Sequence, residues 1–244
     1  KRVINWCPRC ATSLSDLELE YREEKSHLWH IKYEIQNPKS KTQNYITVAT
    51  TRPETMLGDA AVAVNPNDKR YKDLINKKVI LPLVNKEIPI VADRLVDPKF
   101  GTGAVKVTPA HDLTDAEIGL RHKLAAVEAI DEKGRMTKNV PLPYQGLKVL
   151  EAREKVIEDL KKLGLLEKVE DYDHQIPKCY RCSITVELIL SLQWFLKMDK
   201  LAEIAAKAVK EGQVQFVPKR WKKVYLDWLK NIKDWCISRQ LWWG

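Results

Sequence analysis

Between residues 17 and 35 apolar side chains fall on alternate positions: Leu17, Leu19 and Tyr21, then Trp29, Ile31, Tyr33 and Ile35, with a charged stretch between the two sets. A period of two marks strands with one buried face, so the segment predicts a hairpin folded at that stretch. A polar, proline-containing loop is expected at 37–43. Alternating or short apolar runs resume at 45–51, 59–64, 79–84, 88–92 and 103–108, each bounded by Pro, Asn, Asp or Gly. So many short strands in succession predict a barrel or a strongly curled sheet.

Downstream the period lengthens to that of a helix. Val156, Ile157, Leu160 and Leu163 form one stripe over residues 151–163, with Gly164 placed to close it. Asp199 stands as N-cap to a helix with apolar positions Leu201, Ile204, Ala205, Ala208 and Val209, ended by Gly212. A last helix over 221–232 carries Val224, Trp228 and Leu229, and its tryptophans are expected in the core. Strands come first and helices flank them, which makes the class α+β.

At 244 residues and 44% apolar content the chain can bury a real core. No apolar run approaches the roughly 20 residues of a membrane span, and the N-terminus has no signal-like apolar stretch. A soluble, cytoplasmic protein without a membrane partner is expected. A chain that opens Lys-Arg and stops at Leu-Trp-Trp-Gly reads as a piece of something larger. The net charge of +9, from 42 basic and 33 acidic side chains, favours a polyanionic partner such as RNA; a lysine-rich surface serving solubility alone is the other reading.

Five cysteines fall as Cys7-Pro-Arg-Cys10, Cys179-Tyr-Arg-Cys182 and a lone Cys236. Two Cys-x-x-Cys pairs without a secretory signature point to four thiolates on one tetrahedral zinc, clipping together the two ends of an inserted domain, rather than to disulfides. Unligated core cysteines are the alternative. Cys236 is expected as a buried apolar residue.

The densest polar chemistry is GTGAVKVTPAHDLTD, residues 101–115, with Lys106, Thr108, His111, Asp112 and Asp115. One reading is a divalent metal site using His111, Asp112, Asp115 and His122. A helix starting after Asp112 argues against it: Asp112 then sits at the N-cap and Asp115 at N3, where backbone N–H groups stabilise both carboxylates, and Lys106 would repel a cation. Capping alone is the plainest reading of the two aspartates. Residues 49–59, ATTRPETMLGD, add Thr50, Thr51, Arg52 and Thr55 at the end of another strand. Together the two segments look like the rim of a polar pocket whose carboxylates hold an ammonium and whose hydroxyls meet a sugar or ester. His111 is expected to be a structural hydrogen-bonder, and His27, His30, His122 and His174 surface or strand residues.

The stretches TTRPETMLGDAAVAV, FGTGAVKVTPAHDLTDAEIG, LSLQWFLKM and WCISRQLWWG, with the knuckles CPRC and CYRC, resemble the inserted editing domain of valyl-tRNA synthetases, class I aminoacyl-tRNA synthetases, nearly end to end. The resemblance implies a β-barrel editing core flanked by helices, with a zinc-knuckle strand region joining the two chain ends. It divides the chain into a knuckle and connection at 1–38, the barrel at 39–165, and a second knuckle, helices and return toward the catalytic body at 166–244. It implies hydrolysis of the ester in threonyl-tRNA(Val) after transfer. In that reaction Asp115 takes the α-ammonium, and Asp112 and Lys106 order the threonine hydroxyl and the ester. Thr50, Thr51, Arg52, Thr55 and Thr108 meet the terminal adenosine and the attacking water, and Phe100 forms a wall or stacks on adenine. The partners implied are the tRNA(Val) 3′ end and the catalytic body of the same synthetase, with no DNA. ATP belongs to the full-length enzyme, because the HIGH and KMSKS signatures of adenylate chemistry are absent here. A zinc-stapled RNA-binding module with no activity, its polar rim only caps, is the competing reading.

Overall fold

The computed structural model describes residues 1–36 and 44–242, so the loop expected at 37–43 lies outside the described residues. The chain opens with β1 (Arg2–Cys7) and β2 (Thr12–Leu14), followed by β3 (Leu19–Ile35). Then come β4 (Tyr45–Thr50), β5 (Ala61–Val64), β6 (Lys78–Leu81), β7 (Lys86–Ala92) and β8 (Ala104–Val107). After α1 (Leu113–Arg121) and α2 (Val149–Lys162) the chain returns as β9 (Leu166–Cys179) and β10 (Glu187–Ser191). It continues through β11 (Phe195–Leu196), α3 (Asp199–Lys210), α4 (Trp221–Lys230) and β12 (Trp235–Cys236).

The hairpin expected over 17–35 is instead one continuous strand of 17 residues. The charged stretch Arg22–Ser26 contains no Gly, Pro or Asn to reverse the chain. It alternates weakly because that half of β3 is exposed, pairing antiparallel with β9 from Leu19↔Cys179 to Ile31↔Leu166 as a two-stranded ribbon. The other half enters the barrel, where Ile31, Tyr33 and Ile35 point inward and are buried.

The barrel strands run in the order β4-β3-β6-β7-β5-β8, with β5 and β7 parallel and the other neighbours antiparallel. β4 and β8 also lie side by side, which brings the first and last strands together and nearly closes the sheet. Its interior is filled by Ile46, Val48, Val62, Val64, Val79, Leu81, Ile88 and Ile90. One mouth is covered by α2, which seats Ala152, Val156 and Leu160 on the core and packs on the turn Pro53–Gly58. Ile157 is only half-buried and Leu163 is exposed, so the buried face lies around Ala152, one turn nearer the N-terminus than the expected stripe. Gly164, at φ +69°, closes α2 as expected.

A small sheet of order β10-β1-β2 carries Cys7 at the end of β1, Cys179 ends β9 beside it, and a two-stranded sheet joins β11 to β12. The last described residues return to this region: Gln240 Oε1 accepts from the Ser13 amide at 2.9 Å, and Arg2 pairs with Asp234 at 2.7 Å. Cys236 is buried, as expected. Asp199 is the first residue of α3 rather than its cap, a place taken by Met198 with no side-chain capping bond. The expected burial of the last helix's tryptophans fails. Ala202, Val209 and Leu229 are buried, whereas Leu201, Ile204, Val224, Trp221 and Trp228 are exposed, because α3 and α4 pack mainly on each other.

Candidate functional site

Strand alternation in β8 puts Ala104, Lys106 and, just past the strand, Thr108 on the barrel side, with Val105 and Val107 packed in a separate apolar cluster behind. Lys106 is therefore a buried cation. Its Nζ donates to Thr55 Oγ1 and Thr108 Oγ1, each at 2.7 Å, and lies 3.5 Å from Asp59 Oδ1. Asp59 is fully buried and accepts from the Thr108 hydroxyl at 2.5 Å and from the Tyr33 hydroxyl at 2.8 Å. Burial raises the Asp59 carboxyl, and the Lys106 charge, Thr108 and Tyr33 oppose the rise.

Past Thr108 the chain turns into α1. Asp112 caps that helix, its Oδ1 accepting from the Asp115 amide at 3.0 Å. Asp115 is buried and accepts from the Thr108 amide at 2.8 Å, not from a helix-start N–H. The expectation that helix-start amides hold Asp115 as an anion is thus replaced by a different geometry. Burial, with the Asp112 charge beside it, pushes its carboxyl from the ordinary 3.8 up to about 7, against the pull of Lys106 and the Thr108 amide.

The segment after β4 contributes unequally. Thr50 Oγ1 accepts from the Arg52 amide at 3.0 Å, and Thr55 donates its hydroxyl proton to the Arg52 carbonyl at 3.0 Å. Thr51 is half-buried beside them. Arg52 is occupied within the protein: its Nε donates to Glu54 at 3.1 Å and its Nη2 pairs with Glu187 of β10. Glu54, with no exposed surface, is gripped by both Nε and Nη2 of Arg153 at 2.8 and 3.0 Å. Burial alone would raise the Glu54 carboxyl, but Arg52 and Arg153 hold it below the ordinary range. Phe100 is exposed beside the ribbon, 6.2 Å edge-on from Tyr172.

His111 is buried. Its Nε2 accepts from the Ala129 and Ile130 amides at 2.8 and 3.2 Å, so Nδ1 carries the proton and donates to the Leu188 carbonyl at 2.8 Å. Burial drives the imidazole down to about 4, and with both nitrogens engaged it is a structural hydrogen-bonder, as expected. His122 reaches Asp93 at 3.2 Å, away from this group. Among the described residues the one group of side chains close enough to hold a metal is Cys7, Cys10, Cys179 and Cys182, whose sulfurs lie within 4.8 Å of one another. A tetrahedral ion with Zn–S bonds near 2.3 Å requires S···S edges of about 3.8 Å; Cys7 and Cys182 stand closer, at 3.4 Å, and all four sulfurs lie within 4.8 Å, so a small outward shift of that pair would seat the ion. Burial pushes the Cys7 thiol up to about 12, so a cation is what would let four thiolates share the space.

Sequence reasoning missed Asp59, Tyr33, Glu187 and Arg153. Two signals were present: Asp59 directly precedes the apolar run AAVAV, and Glu187 interrupts VELIL. A carboxylate within an apolar strand is buried and must have partners.

At the end of a barrel the fold thus gathers a buried lysine, a capping aspartate and a buried, proton-poised aspartate, and it sets a four-cysteine knuckle where the chain ends meet. The chain belongs to the class I tRNA synthetases of the I, L, M and V group, whose family model matches residues 1–244. It is 57% identical over 244 residues to the valine–tRNA ligase of Petrotoga mobilis, covering 100% of this chain and 27% of that protein. To the valine–tRNA ligases of Geobacter sulfurreducens and Thermotoga maritima it is 54% and 55% identical, covering 27% and 28% of their lengths. The chain thus spans about a quarter of the length of the curated relatives it matches. No helix among the described residues is long and apolar enough to cross a membrane.

Proposed function

We propose that this chain is the editing unit of a valine–tRNA ligase and hydrolyses the ester of threonine misattached to tRNA(Val). The observation that carries the reading is the buried cluster of Lys106, Thr108 and Asp115, with Asp112 beside it, gathered where β8 ends. A known limit of synthetic sites creates the need: an apolar pocket for valine rejects isosteric threonine only about a hundredfold, so a second site must recognise the hydroxyl. Asp115 receives the α-ammonium, and the incoming cation favours its ionised form. Lys106 and Asp112 meet the threonine hydroxyl. Valine fails there because it leaves polar groups desolvated and unpaired, at roughly 1–3 kcal/mol each.

Water adds to the ester carbonyl carbon, the bond to the ribose oxygen breaks, and that oxygen takes a proton. His111 is too committed to serve as base and the pocket has no thiol, so a positioned water, assisted by the neighbouring ribose hydroxyl, fits best. Thr50, Thr51, Thr55 and Thr108 line the approach, and Phe100 offers a face to adenine. Arg52 acts through its ion pairs with Glu54 and Glu187, holding the Pro53–Gly58 turn, more than by direct contact.

The cysteine cluster is assigned to one structural zinc, closed by four protein ligands and serving to fasten the chain ends. The proposed parts are 1–38, 39–165 and 166–244, with β3 crossing from the first into the barrel; the unit works in the cytoplasm beside the catalytic body of the same synthetase and leaves ATP to that body. Calorimetric titration with non-hydrolysable threonyl- and valyl-adenosine analogues tests the assignment. Tighter binding of the threonyl analogue, lost in Lys106→Met, is expected; equal binding of both would reject it.

A further inference from the structure

Asp59 has no place in the reaction described above, yet it is fully buried and bonded to two hydroxyls. We propose that Asp59, steadied by Tyr33, is the positioning residue that fixes the direction of hydrogen bonding around Lys106 and so keeps one ammonium N–H free for the substrate hydroxyl. This role rests on the editing reading and deepens it.

The protons around Lys106 have one consistent arrangement. A hydroxyl has one proton and an ionised carboxylate only accepts. Thr108 gives its proton to Asp59 Oδ1 at 2.5 Å, and Thr55 gives its own to the Arg52 carbonyl at 3.0 Å. Both hydroxyl oxygens are thereby left as acceptors, and both face Lys106 Nζ at 2.7 Å. Two of the three ammonium N–H groups are consumed. Asp59 Oδ1, 3.5 Å from Nζ, is beyond a full hydrogen bond and supplies counter-charge without taking the third. Among the described residues no other acceptor of Lys106 exists at hydrogen-bond distance. Tyr33, on β3, donates to the far oxygen of Asp59 at 2.8 Å and stops the carboxylate from rotating toward Nζ. Without the Asp59 charge, a buried cation would lie between two neutral hydroxyls, and the Thr108 proton would no longer be directed away from it.

The test is a double-mutant cycle on threonyl-tRNA(Val) deacylation with Asp59→Asn, Lys106→Met and the pair, with melting temperature measured alongside. Asp59→Asn alone is expected to lower kcat/KM about tenfold or more, as for loss of a charge-assisted bond. In the Lys106→Met background it should change the rate less than about twofold, because the residue it positions is gone. Multiplying effects of the two substitutions would overturn the proposal and leave Asp59 as scaffold only. Tyr33→Phe, which removes one hydroxyl and no charge, provides the same cycle if Asp59→Asn fails to fold, with the same two outcomes. If the parent chain cleaves neither ester, the editing reading falls by itself. The proton routing is then decided by 15N spectra of the Lys106 ammonium: a narrow Nζ signal in the parent, broadened in Tyr33→Phe, supports it, and identical signals overturn it.

Discussion

Replacing Asp115 by Asn should make the protein more stable at alkaline pH while removing its proposed function. Asn keeps the size of the side chain and an oxygen to accept the Thr108 amide, but carries no charge. The sign follows from the raised carboxyl. Asp115 titrates at about 7 in the folded chain against 3.8 ordinarily, so across that window the folded state holds a proton that the unfolded state has released. Its contribution to stability is fully present below 3.8 and is lost as pH rises through about 7. At about 1.4 kcal/mol for each factor of ten in proton affinity, the whole loss is roughly 4 kcal/mol, of which roughly 2.5 kcal/mol falls between pH 5 and pH 8. For a chain of this size that is about 5–10 °C in melting temperature. Urea or thermal unfolding of parent and Asp115→Asn at both pH values reads it directly, and the oppositely shifted His111 cancels because both proteins contain it. The difference between them should grow by that amount in favour of the variant from pH 5 to pH 8. Parallel stability curves would refute the buried, charge-strained Asp115.

The same group sets the pH dependence of the reaction: after subtraction of spontaneous hydrolysis, kcat/KM for threonyl-tRNA(Val) should rise with pH through about 7, as Asp115 ionises to receive the ammonium, and should lose that step in Asp115→Asn. Asp112→Ala removes the α1 N-cap and should cost about 1 kcal/mol by urea unfolding at pH 5, a cost that shrinks toward pH 8 because the charge that helps raise Asp115 is gone. His111 is held near 4, so its contribution is present above 6.5 and is lost as pH falls toward 4; His111→Gln should therefore lose less stability than the parent between pH 6.5 and 4.5. One zinc per chain is expected by metal analysis, and Cys179→Ser should speed amide exchange in β1, β10 and the end of β9 more than in the barrel strands.

The parts legible in the sequence were those whose physics is local. Asp112 as N-cap follows from its place before an amphipathic turn, Gly164 and Gly212 from the positive φ that ends a helix, and the cysteine cluster from paired spacing. The strands 45–51, 79–84 and 88–92 were visible because one or both faces enter the barrel core. The β3–β9 ribbon was not, since a strand exposed on both faces has no hydrophobic period to read, and its partner lies about 150 residues away. The α4 tryptophans were misjudged as core, because periodicity reports a face and not what covers it. Within the site, Lys106 and Asp115 were found from residue type, whereas Asp59, Tyr33 and the Arg52–Glu187 pair depend on contacts between distant segments that only the closed barrel creates.

The central claim is discrimination between two esters that differ by a hydroxyl and a methyl. The direct measurement is the deacylation rate of threonyl-tRNA(Val) and valyl-tRNA(Val), side by side, by the chain and by the longer synthetase proposed to contain it. Threonyl-tRNA(Val) should be cleared at least about a hundredfold faster than valyl-tRNA(Val), with the difference abolished by Lys106→Met. Equal rates for the two esters, or protection of both, would contradict that claim and leave a zinc-fastened RNA-binding module in its place.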